Sequence, residues 1–269
     1  ASIIGISDRS LLAALVGVDA AGVYAAPYDL AQRTLQIVML SAFLAVSPVV
    51  FRTFELGQHE QFRAHLMQQA RLLLVTALPV ATILAAGAPL AARLLFGAEF
   101  RDAAALLIPW IVAATLVQGI QSYYFSYCFT LANRTLMNAA VVSIGAGLNI
   151  VLNLLLIPTF GPLGAAIATL ASFVVVLAVA VCFTRRWLVL PWPTVDMLKV
   201  GGVCAVAAPF IGVAARSPGL LEALVYTGAA TGLLVALLLM TNAASSRTIS
   251  LELMGSLRRR LGGGLVAQS

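Results

Sequence analysis

The chain has 269 residues, of which 61% are apolar and 10% charged, with a net charge of +6 and a mean hydropathy of +1.01. Soluble domains carry about 45–50% apolar and about 25% charged residues, so a water-soluble fold is excluded: the polar surface cannot cover this much hydrocarbon. Nucleic-acid binding is excluded too, because the basic residues form no patch among aromatics but lie between apolar runs, as membrane-topology signals do.

The chain opens Ala1-Ser2-Ile3-Ile4, with neither Met nor a basic leader, and the apolar run is already under way. A signal peptide has a basic start and a cleavage site. The sequence is therefore expected to be the C-terminal part of a longer protein.

A membrane-spanning helix needs about 20 apolar residues. Eight segments meet this or nearly do: 1–18, 21–50, 67–87, 103–132, 136–157, 162–184, 198–215 and 220–241. The first is short, and the second and fourth exceed a straight span, which predicts tilt or interfacial ends. Tight links are expected at Val18-Asp19-Ala20 and Asn133-Arg134-Thr135, and turns at Pro158 to Pro162 and Ser217-Pro218-Gly219. Longer links are expected at 51–66, 88–102 and 185–197, with a tail after residue 241. Pro27, Pro48, Pro79, Pro109 and Pro209 fall inside helices, where a membrane bundle tolerates them.

Alternate links divide the basic residues unevenly. One set, with the tail, holds Arg52, Arg63, Arg71, Arg134, Arg185, Arg186, Lys199, Arg247, Arg258, Arg259 and Arg260; the other holds only Arg93, Arg101 and Arg216. By the positive-inside rule the richer side is cytoplasmic, which places the tail and the start of the first helix there. The tail from Ser246 to Leu261 sets Ile249, Leu251, Leu253 and Leu257 beside Arg258, Arg259 and Arg260. It reads either as an interfacial segment on anionic headgroups or as an ordinary topology anchor.

Arg9 and Arg33 lie inside expected spans, ten residues before and fourteen after Asp19. At about 1.5 Å per residue both sit deep, with Asp8 and Asp29 beside them. Charge at such depth is costly and belongs in a bundle interior or a wet cavity. On the second span Asp29, Gln32, Arg33 and Gln36 follow helical spacing, opposite Leu30, Leu35, Ile37 and Val38, so this polar stripe is expected to face inward. The lesser alternative is that Asp29 and Arg33, four residues apart, simply neutralise each other; four ionisable groups at one depth on two consecutive helices favour a cavity.

A second polar cluster comprises Asn149 and Asn153, four apart in an apolar helix, and Thr169 on the next. With a carboxylate such as Asp8 these supply hard oxygen ligands for a small cation; interhelical hydrogen bonding is the equal alternative. The aromatics Tyr123, Tyr124, Phe125, Tyr127 and Phe129 read as an interfacial belt, with sugar stacking as the other reading. His59 and His65 are expected to be solvated on the 51–66 link, and Cys128, Cys182 and Cys204 to be small buried hydrophobes without pairing logic. No catalytic triad, metal-binding histidine pair or phosphate loop is found, and Gly201-Gly202 and Gly262-Gly263-Gly264 lack the strand context of such a loop. The chain reads as a non-enzyme without a cofactor.

Several stretches resemble one family. Ser7-Asp8-Arg9 followed by Gly22-Val23-Tyr24-Ala25-Ala26-Pro27-Tyr28 is similar to the start of the C-terminal lobe of polysaccharide-type flippases. So are Leu94 to Phe100, and Asn149 to Pro158 continuing through Gly161 to Thr169. These belong to the multidrug/oligosaccharidyl-lipid/polysaccharide flippase superfamily. The resemblance implies an all-α integral membrane fold of about eight helices, equivalent to helices seven to fourteen of a two-lobe transporter. It divides the chain into a six-helix lobe over 1–185, two additional helices over 186–241 and a basic cytoplasmic tail over 242–269.

The resemblance further implies export of lipid-diphosphate-linked oligosaccharide or polysaccharide units by alternating access in the bacterial inner membrane. Partners would be the lipid-linked glycan, membrane lipids and a missing N-terminal lobe, without which this chain should not transport. Arg9 and Arg33 would meet the diphosphate, with Asp29, Gln32 and Gln36 lining the same site. The related lipid II flippases have a sodium site on helices seven, eleven and twelve, where Asp8, Asn149, Asn153 and Thr169 fall here. In those relatives the second amide position can be a carboxylate, whereas Asn153 is neutral, so Na+, H+ and no coupling all stay open. Three other readings compete. A drug/cation antiporter would show a carboxylate- and aromatic-lined pocket. A membrane glycan ligase or polymerase would need a large outward loop. A scaffold would leave the deep arginines unexplained.

Overall fold

The computed structural model describes residues 3–185 and 190–240, and every described regular element is helical. In chain order these are α1 (Ile3–Leu15), α2 (Val18–Glu55), α3 (His59–Ala86) and α4 (Ala88–Leu95). A single 3-10 turn precedes α5 (Arg101–Ile120), and a π-helical turn (Gln121–Phe125) joins α5 to α6 (Ser126–Leu131). Then come α7 (Thr135–Phe160), α8 (Pro162–Thr184), α9 (Thr194–Ala215) and α10 (Leu220–Met240). Among the described residues seven spans are long and apolar enough to cross a membrane, α5 and α6 counting as one. Helix α1, with 13 residues, joins the bundle but falls short of that length.

Four of the helix breaks fall where the backbone turns to positive φ. Gly17, at φ 128°, separates α1 from α2; Gly57 and Asn133 have φ 67° and 55°; Gly161, at φ 56°, stands between α7 and α8. A side chain at such angles is strained, which explains the glycines, and Pro162 follows as a natural first helical residue. The breaks differ from the sequence expectation in several places. Val18 and Asp19 already belong to α2. Most of 51–66 is helical, so His59 and His65 occupy the start of α3. Pro158 and Thr159 remain in α7. Interior prolines, tolerated as expected, therefore include Pro158.

Polar ends extend the apolar helices beyond hydrocarbon-spanning length, because a helix continues wherever its own backbone is satisfied. The 88–102 link likewise contains α4 and a 3-10 turn. The tail from 242 to 269, with Arg247, Arg258, Arg259 and Arg260, lies outside the described residues, as does Arg186.

The interior is assembled on α2, α5 and α8. One core joins Met39, Val46 and Val50 of α2 to Leu66 and Leu73 of α3 and to Tyr124, Tyr127 and Phe129. A second joins Leu12 of α1 to Tyr24, Tyr28 and Leu35 of α2, Ile108 and Ile111 of α5, and Ala165 of α8. Helices approach closely where glycine faces a side chain. A Cβ on Gly145 would stand 2.1 Å from Val176, and one on Gly119 2.2 Å from Met39, in keeping with small residues at membrane helix interfaces. The α9–α10 hairpin packs on α3 through Val200, Cys204 and Ile211, reinforced by an Arg71–Asp196 ion pair at 2.8 Å.

Two expectations about side-chain placement are corrected. The aromatics at 124–129 are interior residues, not an interfacial belt: Tyr124 and Phe129 are fully buried, and Tyr127 stacks edge-on against Phe43 and Phe51. The π-turn rotates them inward, and Gln69 donates to the Tyr123 carbonyl there at 2.9 Å. Cys128 and Cys204 are buried as expected, but Cys182 lies on the outer face of α8.

Candidate functional site

The four residues expected to form a cation site do converge. Gly5, Asp8 and Leu12 form the buried face of α1, turned toward α2, α7 and α8. Helix α7 has the reverse of a soluble amphipathic pattern. Val141, Gly145, Asn149, Asn153 and Ile157, each four residues on from the last, make up its buried face, while Ile144, Val151 and Leu155 point outward. In lipid the apolar side chains take the outside and the amides go inward. Thr169 lies on the buried face of α8 among Ala165, Ala166 and Ser172.

Asp8 is completely buried. Its Oδ1 accepts from Asn153 Nδ2 at 2.6 Å, and its Oδ2 from the Thr169 hydroxyl at 2.7 Å. Asn153 Nδ2 also reaches Asn149 Oδ1 at 3.1 Å, and Asn149 Nδ2 donates to Thr169 Oγ1 at 3.2 Å. The Tyr24 hydroxyl, from α2, adds a third donor to the carboxylate at 3.2 Å. Asn153 Oδ1 is left buried with no hydrogen-bond partner among the described residues. A buried acceptor without a partner costs about 1–3 kcal/mol, so the knot retains unmet demand for positive charge or a proton. The donor set fits a small hard cation: one carboxylate, two amide oxygens and a hydroxyl, all oxygen. Turning the Asn153 amide over exchanges its donor for its free acceptor and would present that oxygen to such an ion.

Tyr24 joins the site from a face that the polar stripe of α2 does not mark. Its sequence signal is the repeat of Tyr24, Tyr28, Ala31 and Leu35 at three- and four-residue spacing, which competes with the stripe of Asp29, Gln32, Arg33 and Gln36 for the inward position. The buried face of α2 is Tyr24, Tyr28, Ala31, Gln32, Leu35 and Met39. Of the expected stripe, Gln32 is buried, Gln36 half-buried and Arg33 exposed, its side chain 78% accessible. Leu35, expected outside, is fully buried. Apolar bulk, not charge, decides which face of α2 enters the core of this chain, and the arginine is turned out of it.

Asp29 holds the two arginines together. Arg9 donates from Nη2 to Asp29 Oδ1 across the α1–α2 interface, while Arg33 Nη2 stands 3.6 Å from Asp29 Oδ2. The main partner of Asp29 is thus Arg9, with Arg33 the more weakly held. Arg9 also lies over the Tyr28 ring, 5.4 Å from its centroid, and Tyr28 packs against Tyr24 at 5.5 Å. An open depression of about 450 Å³, lined by Ala26, Asp29, Leu30, Arg33 and Thr34, adjoins the pair. The carboxylate knot and the arginine cluster are therefore separate, joined by adjacent residues of α1 and by two tyrosines in tilted ring contact.

The family model of the lipid II flippase MurJ matches residues 9–239. The chain belongs to the MurJ family of lipid II flippases. The match covers all the long helices and places the protein within the flippase superfamily that the sequence resembled, but in the lipid II branch and not the polysaccharide branch. A solved structure described as lipid II flippase MurJ in an inward closed conformation superposes with a TM-score of 0.69 at 16% identity, covering 89% of this chain. That likeness shows a shared fold. The chain spans about half, 51%, of that structure's length. No curated protein matches the chain. Within the MurJ family fold, the knot sits in the helical interior, whereas Arg33 and the depression beside it lie on an open face of the chain.

Proposed function

We propose that this chain is the C-terminal half of a flippase that carries a lipid-diphosphate-linked glycan of the lipid II class across the bacterial inner membrane by alternating access. Membership of the MurJ family supports the substrate class, and the Arg9–Asp29–Arg33 cluster on an open face carries the reading. Guanidinium groups bind phosphate oxygens through paired N–H bonds, and Arg33 has most of its donors free for a ligand at its exposed position. Asp29 orients both arginines between substrates, while Gln32 and Gln36 sit one turn along the same helix. The completing surface is a second lobe, since a cavity of this kind forms between repeats. The cytoplasmic placement of both ends follows from the arginine distribution.

The Asp8–Asn149–Asn153–Thr169 knot is the proposed coupling site, for Na+ or H+. The unpartnered Asn153 Oδ1 and the single buried carboxylate support a monovalent ion in preference to a divalent one. Binding there would tie α1 to α7 and α8 and so favour one of the two conformations.

The test is complementation by the complete gene in two hosts, one depleted of its own lipid II flippase and one unable to export a surface polysaccharide. Wild type, Arg9→Ala and Arg33→Ala are compared at matched membrane levels. Rescue of the first host by wild type and failure of both variants is the expected result. Rescue of the second host alone would transfer the assignment to polysaccharide units, and rescue by all three proteins would remove the arginines from the substrate path.

A further inference from the structure

Where the end of α3, α4, the start of α5 and the C-terminal end of α9 meet, there is a crevice of about 650 Å³. It has two facing columns. One descends α5 through Asp102, Ala105, Leu106 and Pro109; the other descends α9 from Arg216 through Val213, Gly212 and Pro209. Each column starts with a charged residue and ends seven residues along at a proline, so the crevice reaches about 10 Å from its polar rim into the apolar zone. Its floor is made of Ala85, Ala86 and Ala88.

Small side chains keep the groove open. A Cβ on Gly212 would meet only Arg216 Nη1 at 3.4 Å and the Ala86 carbonyl at 3.8 Å. The charges at the rim are of opposite sign, yet Asp102 and Arg216 form no ion pair with each other or with any other described residue. Arg216 uses one nitrogen on the Gly212 carbonyl at 3.2 Å, which leaves further guanidinium donors at the rim. The neighbouring cations are already engaged. Arg93 donates to the carbonyls of Ser217 and Pro218 at 2.6 and 2.9 Å, and Arg101 donates to that of Phe96 at 3.3 Å.

We propose that this crevice binds one phospholipid with a phosphoethanolamine headgroup. Arg216 takes the phosphate, Asp102 accepts from the primary ammonium, and an acyl chain lies along the alanine, glycine and proline floor. The headgroup chemistry follows from the unclosed charge pair: a zwitterion satisfies both ends, with charge-assisted hydrogen bonds at each. An anionic glycerol headgroup leaves Asp102 facing a like charge. A choline headgroup keeps the positive charge but has no N–H to donate. The crevice shares no lining residue with the depression beside the arginine cluster on α2, and the inference does not depend on the transport assignment.

The test is native mass spectrometry of the purified full chain, released from bilayer discs containing equal parts phosphatidylethanolamine, phosphatidylcholine and phosphatidylglycerol. The expected result is one retained phosphatidylethanolamine, favoured about tenfold over either competitor. Asp102→Asn should remove the preference over phosphatidylglycerol, Arg216→Ala should lower retention of all three, and Ala105→Leu, which fills the crevice, should abolish the adduct. Gly201→Ala, in open space on α9, controls for folding and should retain it. Equal retention of the three lipids, or an adduct insensitive to Asp102→Asn and Ala105→Leu, would overturn the proposal.

Discussion

Replacing Thr169 by Val tests whether the buried knot serves a charged carboxylate. Valine closely matches threonine in shape, so little cavity opens, but the hydroxyl is lost. That hydroxyl donates to Asp8 Oδ2 at 2.7 Å and accepts from Asn149 Nδ2 at 3.2 Å, at a position only 1% exposed. Hydrogen bonds between neutral groups in membrane bundles average about 0.6 kcal/mol, whereas bonds to charged groups contribute about 1.5–3 kcal/mol. The two cases are far enough apart to measure. The expected cost of Thr169→Val is about 2 kcal/mol or more, read from reversible SDS unfolding in mixed micelles. Thr169→Ser keeps the hydroxyl and should cost about 0.8 kcal/mol for the lost methyl group. In an Asp8→Asn background the valine penalty should shrink toward the neutral value, and the difference between the two backgrounds is the coupling energy. A valine penalty near 0.6 kcal/mol in both backgrounds would show that the hydroxyl does not stabilise a charged Asp8.

Two further outcomes follow from the packing. Arg33→Ala should change stability by no more than about 0.5 kcal/mol, because its side chain is 78% accessible and lies 3.6 Å from Asp29. Arg9→Ala, which loses a closer pairing with Asp29 and a ring contact with Tyr28, should cost more in the same unfolding measurement; equal costs would contradict the unequal sharing of Asp29. Gly5→Ala should destabilise by about 1–3 kcal/mol, since its Cβ would lie 2.7–2.9 Å from the Tyr28 ring. Gly147→Ala, with nothing within 4 Å, should be neutral or slightly stabilising, and melting curves of the two proteins give the comparison.

The membrane class and most of the helix positions were determined by composition and hydrophobic run length, because the bilayer imposes both on any segment that crosses it; of the eight expected segments, the first falls short of a span. The polar members of the knot were also legible: Asp8, Asn149, Asn153 and Thr169 stand out because an apolar helix rarely carries such groups without a partner. Their convergence was not derivable from spacing alone. It needed α1, α7 and α8 to meet, with Gly5 of α1 admitting the Tyr28 ring and Gly164 of α8 lying against the Leu156 carbonyl of α7.

Which way α2 faces was likewise settled by tertiary packing. Asp29, Gln32, Arg33 and Gln36 form a stripe on a helical wheel, but a wheel has no absolute orientation. Burial of Tyr24, Tyr28, Leu35 and Met39 against α5 and α8 set the rotation and turned Arg33 outward. The aromatics at 124–129 were misplaced for a related reason: a π-turn at 121–125 shifts their phase, and no period of 3.6 residues predicts that shift. Run length in a chain reports its solvent; which side chains meet depends on the relative rotation of packed helices, a property no single segment contains.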